Sequence, residues 1–253
     1  MTPTQIEIPR INVSRWTAQE FEQLVLESNP KAAVFDCDGT LWSGDAGHGF
    51  MEWSLEQGLV SRSTSDWIDT RHRAYRAGLV SEVAICGEMV QIYAGIREQE
   101  LREASAQYFT EHVEHRIFPE MLALSAKLHE LGAQLWAVSS TNRWVVAEGI
   151  RRFGIHVDRV LAADVRVENG IITSELINVP TDEGKAETLR RVGIPTPDAV
   201  FGNSIHDLAM LEIARKAFPV NPSPALLEAA AKRSWGYFQP ESGGTIEAIV
   251  TRV

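Results

Sequence analysis

Ala32-Ala33-Val34-Phe35-Asp36-Cys37-Asp38-Gly39-Thr40-Leu41 is the stretch on which the fold turns. Four apolar residues in a row read as a short buried strand, and the strand ends in two carboxylates one residue apart. Like charges at that spacing repel and are costly to desolvate. A chain tolerates them most easily when a cation sits between them or when they do proton chemistry. Side chains alternate along a strand, so Asp36 and Asp38 can lean the same way past its end, and Gly39 permits the tight turn that brings both round one centre. The arrangement suits a hard divalent metal held by carboxylate and carbonyl oxygens. It also suits a nucleophile paired with an acid.

Upstream, Thr17 and Glu20 form a capping-box pattern and Trp16 with Phe21 has staple spacing, so a helix is expected to run to about Glu27 and stop at Ser28-Asn29-Pro30. Downstream, no buried strand is expected between Gly44 and Ile117. Apolar residues recur there at three and four, marking helices around Phe50 to Leu55, Trp67 to Tyr75, Val83 to Tyr93 and Leu101 to Val113. We expect an inserted helical bundle over residues 44–117, with 1–43 and 118–253 forming the α/β core.

Alternation of strand and helix then resumes. Pro119 opens a helix ending at Gly132; Leu135 to Val138 is a strand ending in Ser139-Ser140; a helix spans Trp144 to Phe153. Val160 to Ala163 is a strand, and Asn169-Gly170 between alternating residues marks a hairpin. Lys185 to Val192 is helical, Ala199 to Phe201 is a strand ending at Gly202-Asn203-Ser204, and a helix from His206 leads to the strand Ala217 to Val220. Last come helices near 224–232 and 245–250. Such alternation implies a mostly parallel, doubly wound sheet with helices on both faces.

In a sheet of that kind ligands collect beyond the carboxyl ends of the strands. Asp36, Asp38, Ser139, Ser140, Asn203 and Asp207 should therefore converge, with Lys185 reaching the same place from the start of a helix. Phosphoryl transfer spreads negative charge over equatorial oxygens, which a divalent metal, an ammonium and hydroxyl or backbone donors can stabilise. Taken singly, Ser139 is an ordinary turn or N-cap serine, Lys185 a solvated helix residue and Asp207 a helix-capping acid.

Together, in this order, the motifs resemble the haloacid dehalogenase superfamily of hydrolases, in its phosphoserine-phosphatase-like branch. Its D-x-D-G-T-L motif is met by Asp36 to Leu41, its serine or threonine after an apolar strand by Ser139, and its lysine by Lys185 in Gly184-Lys185-Ala186. Its acidic G-D-x-x-x-D pattern is met, in part, by Gly202-Asn203-Ser204-Ile205-His206-Asp207. The resemblance implies a Rossmannoid core with an inserted cap and Mg²⁺-dependent hydrolysis of a small phosphomonoester through an aspartyl phosphate. Asp36 would be nucleophile and metal ligand, and Asp38 general acid/base and carbonyl ligand. Ser139, Ser140 and Lys185 would bind the phosphoryl group, and Asn203 and Asp207 would complete the metal site, Asp207 either through water or by orienting Lys185. A phosphotransferase using the same intermediate, or a phosphate-binding protein without turnover, remains open; a dehalogenase would not need Asp38.

Two departures bear on this. Asn203 stands where the family has an aspartate, keeping a carbonyl oxygen but losing the charge. Phosphoserine phosphatases hold the substrate amine with an acid nine positions after the nucleophile, which is Asp45 here, but their carboxylate-binding arginine falls on Met89. An amine-bearing or neutral small phosphomonoester is expected instead. The formal charge of −10 argues against nucleic acid or an anionic membrane as partner. Two cysteines offer no disulfide framework, and with neither a signal peptide nor a spanning apolar run a cytoplasmic protein is expected.

Overall fold

A computed structural model describes residues 13–241. The described chain begins with a two-residue strand β1 (Arg15–Trp16), helix α1 (Ala18–Glu27) and strand β2 (Ala32–Phe35). Four helices follow: α2 (Ala46–Glu56), α3 (Arg62–Arg76), α4 (Glu82–Gln91) and α5 (Glu98–Tyr108). A π-helical turn (Phe109–Val113) and a 3₁₀ turn (Glu114–Arg116) close that segment. Then come α6 (Pro119–Glu130), β3 (Gln134–Asn142), α7 (Arg143–Ile150), β4 (Val160–Glu168), β5 (Ile171–Asn178), α8 (Glu183–Arg191), β6 (Ala199–Gly202), α9 (Leu208–Glu212), β7 (Lys216–Pro219), α10 (Pro224–Lys232) and β8 (Tyr237–Phe238). The helix expected at 245–250 lies outside the described residues.

The main sheet has the order β5-β4-β3-β2-β6-β7. Every pairing in it is parallel except β4 with β5, which form a hairpin. Asn169 and Gly170 both have positive φ at its tip, as a two-residue turn that matches strand twist requires. β2 lies between β3 and β6, which explains its unbroken apolar run. Ala33 and Phe35 face one hydrophobic cluster, and Val34 faces the other. Phe35 stacks on Phe201 of β6 with ring centroids 4.5 Å apart; full burial of one such side chain is worth about 1.5–3 kcal/mol.

The first cluster takes in α1 to α7 on one face of the sheet; the second takes in α8, α9 and α10 on the other. The sheet is therefore doubly wound. The helices between residues 46 and 108 share the first cluster with the sheet, through residues such as Phe50, Ile85 and Leu101. At the start of α1 the capping box of Thr17 and Glu20 is present and Trp16 stacks on Phe21. β1 pairs with β8, joining the two ends of the described chain.

Candidate active site

The carboxyl ends of β2, β3 and β6 open onto one cavity of about 250 Å³. Its wall brings together Asp36, Asp38, Ser139, Ser140, Lys185 and Asn203, with Asp45 from the start of α2. Asp207 sits one layer deeper, fully buried.

Asp36 follows the last residue of β2 and is only 5% exposed. Its main-chain N–H donates to the Phe201 carbonyl at 2.9 Å, tying the strand end to β6. One carboxylate oxygen accepts from Lys185 Nζ at 2.7 Å and the other from Thr40 Oγ1 at 2.9 Å. Burial, then the charge of Asp207, pushes its carboxyl up to about 7, although Lys185 opposes the rise. The site thus holds more negative charge than its one ammonium balances.

Asp38 is held from three sides. Oδ1 accepts from the Trp42 indole Nε1 at 2.6 Å and from the Ala46 N–H at 2.8 Å, while Oδ2 accepts from Thr141 Oγ1 at 2.6 Å. These bonds favour the ionised form, yet burial and the nearby Asp45 charge lift the carboxyl to about 6. A pKa just below neutrality suits a group that gives and takes protons. Gly47 makes the arrangement possible: a Cβ there would sit 2.4 Å from Thr141 Oγ1.

Lys185 enters from the first turn of α8 and is 2% exposed. Its ammonium spans Asp36 Oδ1 at 2.7 Å and Asp207 Oδ1 at 2.5 Å. Burial alone would lower its pKa, but Asp207 and Asp36 outweigh burial and hold it above the ordinary value. The second oxygen of Asp207 accepts the N–H groups of Asn203 and Ser204, at 2.8 and 2.9 Å. Both oxygens of Asp207 are therefore spent on fixing Lys185 and the turn after β6.

β3 continues past Val138 to Asn142, further than the apolar run suggests. Ser139 pairs with Ala162 and Asn142 with Ala163, so Ser140 and Thr141 are extra residues in a bulge. Bulges re-aim side chains beside active sites; this one turns Ser139, Ser140 and Thr141 into the cavity wall. Asn142 then caps α7 by accepting the Val145 N–H at 3.0 Å.

Opposite, the Asn203 side chain lies over Gly39. Gly39 has φ +77°, and a Cβ on it would be 1.9 Å from Asn203 Nδ2, so glycine is required twice over. Asp36, Asp38 and Asn203 share this cavity wall and between them could offer carboxylate, main-chain carbonyl and amide oxygens. Among the described residues no group of three or more His, Cys, Asp or Glu side chains is arranged as a metal site. An all-oxygen set with few carboxylates, beside two buried acids and a half-buried one set against one ammonium, still fits Mg²⁺. That ion keeps several waters and takes only one or two protein carboxylates.

Around the mouth, Asp45 caps α2 by accepting the His48 N–H at 2.8 Å. Met89 lines the cavity, and no arginine does. Arg71 is turned away into a two-bond pair with Glu88, at 2.6 and 2.8 Å. His206 lines the cavity and bonds Asp182 Oδ1 at 2.7 Å. His112 and His115 lie in a separate groove with Arg116. The positions of Thr40, Thr141 and Trp42 as partners of the two aspartates, and of Glu82, His48 and His72 in the cavity wall, were not legible in the motifs.

Residues 33–212 match the family described as haloacid dehalogenase-like hydrolase. A histidinol-phosphatase of Neisseria meningitidis serogroup C is 24% identical over 217 residues, covering 80% of this chain and 96% of that protein. A probable phosphatase of Mycobacterium tuberculosis is 26% identical over 212 residues, covering 81% and 73%. Among solved structures, a protein of unknown function from Bordetella pertussis Tohama I superposes with a TM-score of 0.73 at 19% identity, over 90% of this chain and 99% of that one. A substrate-bound phosphoserine phosphatase superposes with a TM-score of 0.56 at 15% identity, over 88% and 98%; at these identities the structural likenesses speak for the fold. With the family matched across most of the sheet and the motif residues gathered at one cavity, the chain belongs to the haloacid dehalogenase-like hydrolases.

Proposed function

We propose that this chain is a Mg²⁺-dependent phosphomonoesterase that works through an aspartyl phosphate on Asp36. The observation that carries the reading is the pair of acids at the end of β2 in unlike surroundings: Asp36 against the Lys185 ammonium, Asp38 against neutral donors. Paired carboxylates with separated environments divide into two roles.

An Asp36 oxygen attacks phosphorus while the ester oxygen departs. Lys185 and the donors of the Ser139–Thr141 bulge accept the negative charge of the transferring group. Asp38, in its protonated form, gives its proton to the leaving alkoxide; as carboxylate it then takes one from the water that attacks the aspartyl phosphate. Trp42, Ala46 and Thr141 keep it aimed in both half-reactions. Asp207 acts as a positioning residue, holding the Lys185 ammonium on Asp36. The Asp36 carboxylate, the Asp38 carbonyl and Asn203 would hold Mg²⁺. When bound, the ion would balance the surplus acid charge and that of the phosphoryl oxygens. The helices of residues 44–117 would form the cap that limits water access.

The substrate is a small phosphomonoester without a carboxylate, since Met89 and an arginine-free wall offer such a group no partner. Histidinol phosphate, implied by the name of the Neisseria relative, meets that condition and heads the panel to assay. Mg²⁺-dependent release of phosphate from p-nitrophenyl phosphate, lost in Asp36→Asn, is the first test. Covalent labelling at Asp36 is the second. A wild-type enzyme that releases no phosphate from any ester, or a phosphoserine rate far above the rest, would overturn the respective halves of the reading.

A further inference from the structure

At the cavity mouth stands a carboxylate that the chemistry above leaves unused. Glu82 is the first residue of α4, just after the capping Ser81, and lines the same cavity as Asp36 and Lys185. An acid in a first helical turn is an ordinary complement to the helix dipole, and an exposed one would need no further account. Glu82 is not exposed: its side chain is 17% accessible. Oε1 accepts a weak bond from Cys86 Sγ at 3.5 Å. Oε2 is buried and meets no donor at hydrogen-bond geometry, although the Tyr75 hydroxyl borders the same carboxylate and a ring nitrogen of His206 is 3.9 Å away. A desolvated carboxylate oxygen without a donor is costly, and such groups in native structures call for an explanation.

The surroundings narrow what the missing donor is. Asp45 shares this wall and feels the Glu82 charge, so two acids face the same space with no fixed cation between them. The ammonium of Lys185 is committed to Asp36 and Asp207 at the far end. The other basic groups in the wall are the imidazoles of His48, His72 and His206. Burial holds His48 and His72 below the ordinary histidine value, favouring their neutral forms. Asp45 spends Oδ1 on capping α2 and is exposed to solvent, so the buried oxygen without a donor at bonding geometry is the one on Glu82.

We propose that Glu82 is the specificity-determining residue that binds a protonated amine on the substrate, so that the enzyme acts on amino-alcohol phosphates. This rests on the phosphomonoesterase reading and deepens it. One cavity wall thus holds the Lys185 ammonium, which suits the phosphoryl group, and the Asp45 and Glu82 carboxylates, which suit an amine. A charge-assisted bond to the ammonium satisfies Oε2. A neutral substrate of the same size leaves it buried and unpaired, which is how a polar site rejects an isostere.

The test compares 2-aminoethyl phosphate with its neutral isostere n-propyl phosphate, using p-nitrophenyl phosphate as a leaving-group control. The wild type should favour the amine, mainly through KM. Glu82→Gln keeps shape and should cost the amine substrate roughly 10–100-fold in kcat/KM, with the two neutral esters changed by no more than about threefold. Asp45→Asn should cost less than Glu82→Gln. Glu82→Lys should reverse the preference, towards phosphoglycolate. A wild type indifferent between amine and isostere, or a Glu82→Gln enzyme that loses all three substrates equally, would overturn the assignment while p-nitrophenyl phosphate turnover still upholds the phosphatase reading. Failure to hydrolyse any of the three would sink both.

Discussion

Replacing Asp36 by asparagine should abolish activity and yet make the metal-free protein more stable. The reason is the carboxyl lifted from its ordinary 3.8 to about 7 by burial and by Asp207. Between those two values the folded chain holds a proton that the unfolded chain has released. Stability therefore falls as pH rises through that window, and the full penalty is present above about pH 7. At about 1.36 kcal/mol for each tenfold change in proton affinity, the penalty is about 4 kcal/mol at most. About 2–4 kcal/mol is the working range. Asparagine can keep both contacts, accepting from Lys185 and donating to Thr40 Oγ1. For a chain of this size that energy corresponds to a Tm gain of roughly 5–12 °C at pH 8 in chelator. At pH 5 most of the proton difference is already paid by the folded wild type, so the gain should shrink by more than half. Added Mg²⁺ should raise the wild-type Tm and leave Asp36→Asn nearly unmoved. Thermal melts of both proteins at pH 5 and 8, with chelator and with Mg²⁺, decide the matter. A variant no more stable than wild type at pH 8 in chelator, or a gain that does not shrink with acid, would refute the reasoning.

Three further outcomes follow from the same geometry. Asp38→Asn should lower kcat/KM for alkyl phosphates by about 10²–10⁴-fold but spare p-nitrophenyl phosphate, whose leaving group needs little protonation; equal losses would argue against Asp38 as the acid. Thr141→Val removes the 2.6 Å bond that favours ionised Asp38, so the Asp38 carboxyl should rise above its present value near 6. The alkaline fall of kcat/KM would then move up by about one pH unit, and a stationary pH profile would count against this orienting role. Asn203→Asp adds charge to the oxygen set and should tighten Mg²⁺ activation roughly tenfold, while lowering the Tm in chelator through repulsion with Asp36. A Mg²⁺ titration showing unchanged or weaker activation would remove Asn203 from that set.

The parts of the fold legible in the sequence are those whose causes are local. The capping box of Thr17 and Glu20, the Asn169-Gly170 turn and the unbroken apolar run of β2 each carry their reason within a few residues. β1 and β8 are two-residue strands more than two hundred positions apart, too short for any periodicity, and only their pairing makes them strands. The end of β3 was misjudged for a related reason. Ser139-Ser140-Thr141-Asn142 reads as a turn because polar residues follow an apolar run, but the backbone stays extended there through pairing with Ala162 and Ala163 and a bulge between them.

The site divides in the same way. Motif order was enough to gather Asp36, Asp38, Ser139, Lys185 and Asn203 at one cavity, because strand ends in a doubly wound sheet share one side. What each carboxylate touches was not available from order. Asp207 is separated from Asn203 by one turn of chain, and only the fold reveals that both its oxygens face inward, to Lys185 and to two N–H groups. Asp45 reads as a substrate residue by its distance from Asp36, yet its carboxylate closes the first turn of α2. Glu82 reads as one more surface acid at a helix start, yet it is enclosed with an oxygen lacking a donor. In each case the deciding quantity is the number of donors reaching an oxygen, a tertiary property. Two fully engaged oxygens mark Asp207 as structural support for Lys185. A buried oxygen without a donor at bonding geometry, in the same cavity as that lysine, marks Glu82 as the group whose partner has to arrive with the substrate.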